Sequence, residues 1–165
     1  MKRMTYAVAA MMVLLIALIY GSLFLTAAGE DDREGWTDYI ERVCEDRQIC
    51  PELVEALIER ESNWDPDAQN GTCIGLMQID QVYHWERMQW LGVTDLRDPY
   101  ENILVGVDFL EELFREYEDP AAVLMYYNAG HSDRYGLGAW QDGDLSRYAD
   151  QILERAAELE RIHGK

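Results

Sequence analysis

The sequence predicts a mainly helical domain over residues 36–165, set behind a hydrophobic N-terminal segment. Three observations predict it. Apolar residues recur at the helical spacing of three and four in several stretches after residue 36. Asp98-Pro99 and Asp119-Pro120 each place a capping residue before a proline, which marks two helix starts. Tyr6 to Ala28 runs for 23 residues without a charge, long enough to cross a bilayer as a helix.

Lys2 and Arg3 precede the uncharged stretch, and Glu30, Asp31 and Asp32 follow it. The positive side stays in the cytoplasm, so the remainder faces outward. Residues 1–28 read as an uncleaved anchor or as a signal sequence cut after the small residues Ala27 and Ala28. The run is longer than a signal core of roughly 7–15 residues, which favours the anchor. Both readings export the domain. Residues 29–35 form a short acidic linker.

Trp36, Tyr39, Ile40, Val43 and Arg47 mark a first helix. Pro51 opens a second, in which Val54, Leu57 and Ile58 form one apolar face. The next position on that face is Glu61, and Asp65-Pro66 ends the helix soon after. Desolvation and the negative end of the helix dipole both disfavour an ionised Glu61. A carboxylic acid that keeps its proton near neutral pH suits general acid catalysis. The helix alone is equally compatible with a boundary glutamate that bends to solvent or pairs with Arg60. Residues 65–80 carry turn chemistry at Asp65-Pro66 and Asn70-Gly71, with room for a small hairpin.

A short helix is expected over residues 81–91, with Trp85 and Trp90. After Asp98, the residues Ile103, Gly106, Val107, Leu110, Leu113, Phe114 and Tyr117 share one face, and Gly106 implies close approach of a neighbouring backbone. Ala121 to Asn128 is apolar nearly all round and reads as the buried central helix, stopped by Gly130. A glycine-rich loop spans Gly136 to Gly143. In the last helix Leu145, Tyr148, Ala149, Ile152, Leu153 and Ala156 face the core.

The chain carries a net charge of −18. Two of its 14 basic residues and none of its 32 acids precede residue 29, so the remainder carries −20. Such a surface repels nucleic acid and anionic headgroups, which excludes a nucleic-acid partner. The three cysteines form no CxxC and the three histidines are scattered, which argues against a structural zinc site. No cofactor is implied. Outside the cell one disulfide can form, and Cys44 with Cys50 is the shortest closure, leaving Cys73 as a small buried residue.

Four blocks occur in order: "ALIERES" at 56–62, "GLMQID" at 75–80, "NILVGVDFL" at 102–110 and "LMYYNAG" at 124–130. With "RYADQILERA" at 147–156 they resemble the lysozyme-like lytic transglycosylases, and among them the goose-type lysozymes. The resemblance covers most of residues 36–160. It implies a lysozyme-like fold with a small α+β region. It also implies cleavage of peptidoglycan glycan strands at the β-1,4 bond between N-acetylmuramic acid and N-acetylglucosamine. Glu61 becomes the catalytic acid, which protonates the leaving oxygen. It then takes the proton of the muramic acid C6 hydroxyl as a 1,6-anhydro ring closes. Gly75, Met77, Gln78, Tyr127 and Asn128 fall at substrate-binding positions of the pattern. Gln78 is equally suited to a hydrogen bond within its loop, Met77 to the core, and Asn128 to tying its helix end to the following loop.

Two departures from the pattern stand out. The approach to GLMQ is the short "NGTCI", and GLMQ is followed by "IDQVYH", as in the goose-type pattern. Asp80 is therefore the candidate second carboxylate, which would activate water in a hydrolase; alternatively it caps the helix starting near Gln81. A noncatalytic glycan-binding module is a rival reading. So is a component of an envelope-spanning secretion or conjugation apparatus, which the anchor suits.

Overall fold

The computed structural model describes residues 32–165. The anchor expected over residues 6–28 lies outside them. Among the described residues no helix is long and apolar enough to cross a membrane. The chain divides into two units, Met1–Trp36 and Thr37–Lys165. The described part of the first unit is helical, including residues 32–35, which were expected as linker. Arg33 and Glu34 are good helix formers, and a single Gly35 does not stop a helix.

Helical residues 32–45 form α1, which buries Ile40, Val43 and Cys44 in the second unit. Helix α2 (Pro51–Glu61) starts on its proline and buries Leu53, Val54, Ala56, Leu57 and Ile58. Glu52 and Glu55 are buried as well, which the apolar pattern did not mark. Asn63 and Trp64 take positive φ, 53° and 65°, and end the helix more abruptly than the downstream Asp65-Pro66 would.

The expected hairpin is a three-stranded antiparallel sheet of very short strands: β1 (Gln69–Asn70), β2 (Cys73–Ile74) and β3 (Ile79–Asp80). Asn70 pairs with Cys73 around a turn that Gly71 enters at φ +62°, and Cys73 pairs with Asp80. Helix α3 (Trp85–Leu91) begins later than expected because residues 81–84 form a separate turn.

Helices α4 (Pro99–Tyr117) and α5 (Pro120–Ala129) start as predicted, with Asp98 and Asp119 each accepting two backbone N–H groups. Helix α5 is the core element: Ala122, Val123, Leu124 and Met125 are all fully buried. It packs against α4 and α7 (Arg147–His163), and α7 packs along α2. The loop expected over Gly136–Gly143 contains a further short helix, α6 (Leu137–Gln141). Leu145 lies before α7 and is half exposed, whereas Ala149, Ile152, Ala156 and Leu159 carry the buried face.

One side chain fastens the sheet to α4. Asn102 is fully buried. Its Nδ2 donates to the carbonyls of Ile74 (2.8 Å) and Leu96 (2.9 Å), and its Oδ1 accepts from the N–H of Met77 (2.8 Å). Gly75 makes this possible. It sits at φ +78°, and a Cβ there would lie 2.3 Å from Asn102 Nδ2 and 2.4 Å from the Leu96 carbonyl. Gly106 has a related role, with a correction to the expectation: what approaches it is the Met77 side chain, whose sulfur would lie 2.3 Å from an added Cβ.

Asn102→Leu keeps the volume but strands one N–H and two carbonyls in the core. Each buried group left without a partner costs about 1–3 kcal/mol. The urea midpoint is expected to fall sharply with an unchanged slope. A midpoint matching wild type would show that other contacts hold the loop.

Candidate active site

Glu61 is the last residue of α2, and the next helix face to reach it is the start of α7. Tyr148 of α7 donates its hydroxyl to Glu61 Oε1. Burial raises the Glu61 pKa above the usual glutamate value, partly opposed by the Tyr148 hydrogen bond and by the charge of Arg60. The Arg60 guanidinium lies over the Tyr148 ring, 5.6 Å from its centre, rather than pairing with Glu61 in solution. Burial and the neighbouring carboxylate hold the Tyr148 phenol well above its ordinary pKa, so Tyr148 is a fixed donor.

Two cavities are lined by residues that interact with this carboxyl group, although Glu61 itself lines neither. One, of about 340 Å³, is lined by Cys73, Gln78, Asp80, His84, Phe109 and Tyr127 among others. The other, of about 260 Å³, includes Tyr148, Tyr135 and Arg147. Asn128 borders both. Glu61 is bonded to Tyr148 of the second cavity and acts electrostatically on Cys73 and Tyr127 of the first.

Tyr127 is held by a 2.7 Å hydrogen bond from its hydroxyl to the Met77 carbonyl. Its ring leans on Phe109, which packs against His84 (5.5 and 4.5 Å between ring centres). These rings form an aromatic wall. His84 is buried, and burial together with Arg87 lowers its pKa to about 4, so it is neutral at neutral pH.

The other predicted site residues divide. Gln78 lines the cleft, but its Nε2 donates to the Ala68 and Gly75 carbonyls at 3.1 and 3.0 Å, the loop-holding alternative. Asn128 is exposed at the junction of the cavities. The Met77 side chain is fully buried against Gly106 and cannot touch substrate; its carbonyl does the positioning. Gly75 is buried too, and the close approach it permits is that of Asn102, not of a sugar.

Asp80 Oδ1 accepts from the N–H groups of Val82 and Tyr83, and Oδ2 accepts from the Thr72 hydroxyl at 2.8 Å. Desolvation would raise its pKa, but these hydrogen bonds outweigh it and the pKa is lowered. Asp80 thus caps the 81–84 turn rather than a helix starting at Gln81.

Cys44 and Cys50, expected as a disulfide, are free thiols here. Cys50 Sγ is engaged with Glu52 and Glu160 instead. Cys73 is half-buried in the cleft rather than in the core.

Sequence reasoning missed three cleft residues. Tyr126 looked like core but lines the cleft and packs on His131. Phe109 was inside a quoted block without a role. Tyr148 was read as a core residue, and only the meeting of α2 with α7 reveals its bond to the acid.

Residues 38–138, more than half of the chain, match the family model described as the transglycosylase SLT domain. The chain belongs to the transglycosylase SLT domain family. It is 36% identical over 101 residues to a membrane-bound lytic murein transglycosylase F from Desulfosudis oleivorans, a match covering 59% of this chain and 21% of that protein. It is 29% identical over 125 residues to invasion protein IagB from Salmonella typhi, covering 71% and 74%. Among solved structures it resembles the soluble lytic transglycosylase SLT70 from Escherichia coli, with a TM-score of 0.66 at 19% identity, covering 78% of this chain and 24% of that one. It also resembles an inactive glutamate-to-glutamine mutant of lytic transglycosylase Slt from Pseudomonas aeruginosa, with a TM-score of 0.64 at 18% identity, covering 77% and 24%. The chain therefore spans about a fifth of the Desulfosudis protein and a quarter of either solved chain. The expected mainly helical, lysozyme-like architecture is the one these solved SLT chains share.

Glu61 also carries a stability signature. An unfolded glutamate titrates near 4.5, whereas folded Glu61 holds its proton to higher pH. The folded state then binds more protons across that window, so stability falls as pH rises through it. Glu61→Gln removes this penalty while keeping an oxygen for Tyr148. Its melting temperature is expected to exceed wild type at neutral pH and to converge with it below pH 4.5. A variant less stable than wild type at neutral pH would show that the carboxyl is not strained by burial.

Proposed function

We propose that the chain is a membrane-anchored, outward-facing lytic transglycosylase that cuts peptidoglycan between N-acetylmuramic acid and N-acetylglucosamine. The observation that carries it is a desolvated glutamic acid, Glu61, bonded to Tyr148 of one cavity and acting on Tyr127 and Cys73 of another, in an SLT domain. The protonated carboxyl gives its proton to the glycosidic oxygen as that bond breaks. The carboxylate left behind then accepts the proton of the muramoyl C6 hydroxyl, whose oxygen closes on C1 as a 1,6-anhydro ring. Glu61 ends the cycle protonated. Tyr148 donates to the transient carboxylate and keeps it aimed, and the substrate supplies its own nucleophile.

The relatives named as lytic transglycosylases support the reaction class. The Pseudomonas structure, described as inactive after a glutamate-to-glutamine change, agrees with an essential carboxylic acid. Anchoring through residues 6–28 is supported by the uncharged stretch and by the membrane-bound relatives. The uncharged stretch suits work beside an envelope-spanning apparatus, where a tethered cutter would open the wall only locally.

Glu61→Gln is expected to lower strand cleavage about 10²- to 10⁴-fold, measured on purified peptidoglycan with folded protein. Mass spectrometry of the wild-type products is expected to give 1,6-anhydromuropeptides. Reducing ends would instead support the alternative, a goose-type muramidase in which Asp80 activates water.

Asp80 separates the two chemistries independently. Its oxygens are occupied by the turn and its lowered pKa makes it a poor proton acceptor. Asparagine caps about as well as aspartate. Asp80→Asn is expected to keep cleavage within a few-fold of wild type, and a folded but inactive variant would favour the hydrolase.

A further inference from the structure

The far end of the α2–α7 pair gathers residues that the reaction does not use. Cys50 precedes α2, Glu52 lies in its first turn, and Glu160 and His163 stand one turn apart on α7. Cys50 Sγ lies 3.3 Å from Glu52 Oε2 and 3.2 Å from Glu160 Oε1, and the three donor atoms are mutually within 4.8 Å. Glu52 is only 1% exposed, deep for a carboxylate. Its other oxygen, Oε1, faces His163 Nδ1 at 3.0 Å and Lys165 Nζ at 2.7 Å. Glu41 of α1 adds negative charge within electrostatic reach of Lys165.

We infer that Cys50, Glu52 and Glu160 bind one divalent metal ion, zinc by the chemistry of the donors, with His163 orienting Glu52 from behind. The donor geometry argues for it. Zinc bonds of about 2.3 Å to sulfur and 2.0–2.2 Å to oxygen, at the tetrahedral angle, put sulfur and oxygen roughly 3.5 Å apart. The two S···O distances here are close to that edge. One thiol proton now lies between two carboxylates, and a thiol is a weak donor for that task. A divalent ion would take the proton's place: the S–H bond breaks, a metal–sulfur bond forms, and the proton leaves to solvent. Three protein ligands leave the fourth position to water. The His163 contact to the remote oxygen of a liganding carboxylate is the arrangement that fixes such ligands.

The absence of CxxC in the sequence is thus no argument against zinc in this fold. The donors are 110 residues apart and are joined only by the packing of α7 on α2. The site is remote from Glu61, at the opposite end of α2, so its occupancy and the proposed cleavage are separable.

The test is a cobalt titration of the reduced full chain in detergent. One equivalent of Co²⁺ is expected to bind and give a thiolate-to-metal charge-transfer band, and Zn²⁺ is expected to displace it and raise the melting temperature. Cys50→Ser should abolish the band, while Cys44→Ser and Cys73→Ser keep it. Glu160→Gln, a change at a partly exposed helix end, should weaken binding by at least about tenfold. Lys165→Ala should lower stability in chelator and regain it with Zn²⁺, because the ion replaces the ammonium beside Glu52. No charge-transfer band in the reduced wild type, or a band that survives Cys50→Ser, would overturn the inference. So would a Lys165→Ala loss that zinc does not restore.

Discussion

The Asn102 side-chain amide is the constraint on which the cleft depends. A short three-stranded sheet cannot hold itself; its strands have two residues each and little surface to bury. Asn102 anchors it by spending three hydrogen-bonding positions on three separate backbone groups. Two glycines clear the space: Gly75 for the amide itself, and Gly106 for the Met77 side chain one turn further along α4. With Met77 fixed, its carbonyl fixes the Tyr127 hydroxyl. The cleft wall is therefore set by a residue that never meets the cleft.

The acid obeys a second constraint, the balance between burial and support. Burial alone favours the neutral form of Glu61, whereas the proposed reaction also needs its carboxylate. Tyr148 and Arg60 both pull the other way. Tyr148 cannot itself ionise at neutral pH, so its hydroxyl stabilises the Glu61 carboxylate without competing for the proton. The result is a carboxyl group raised but still able to cycle. Asp80 is handled in the opposite way, with three donors that keep it ionised and committed to the 81–84 turn.

Much of the fold could be read from local signals. Asp98-Pro99 and Asp119-Pro120 state their helix starts in the sequence, and Asn70-Gly71 states its turn, because each depends on neighbours a few residues away. Glu61 was legible because it breaks an apolar face. What escaped were features made by distant partners. Tyr148 has the spacing of a core residue, and its bond to Glu61 crosses 87 positions. Met77 and Gly75 sit in a block that looks like substrate-binding surface, yet both are buried, because GLMQ is held from behind by Asn102. Helix α6 lay hidden in glycines that composition alone reads as loop.

Helices α2 and α7 run antiparallel, and three polar pairs join them. Near the end of α2, Glu61 meets Tyr148 and Glu59 receives Arg155 through two hydrogen bonds, and at its start Glu52 meets His163. The α7 partners, Tyr148, Arg155 and His163, recur about every two turns. Those contacts help so acidic a helix to fold inward: α2 carries four glutamates, and two of them, Glu52 and Glu55, are buried. A buried carboxylate is tolerable only with a cation or donor beside it, and α7 supplies them to Glu52, Glu59 and Glu61. Register is the consequence. Sliding α7 by one turn would separate every pair at once, so the same contacts that neutralise α2 also fix where Tyr148 stands against the acid.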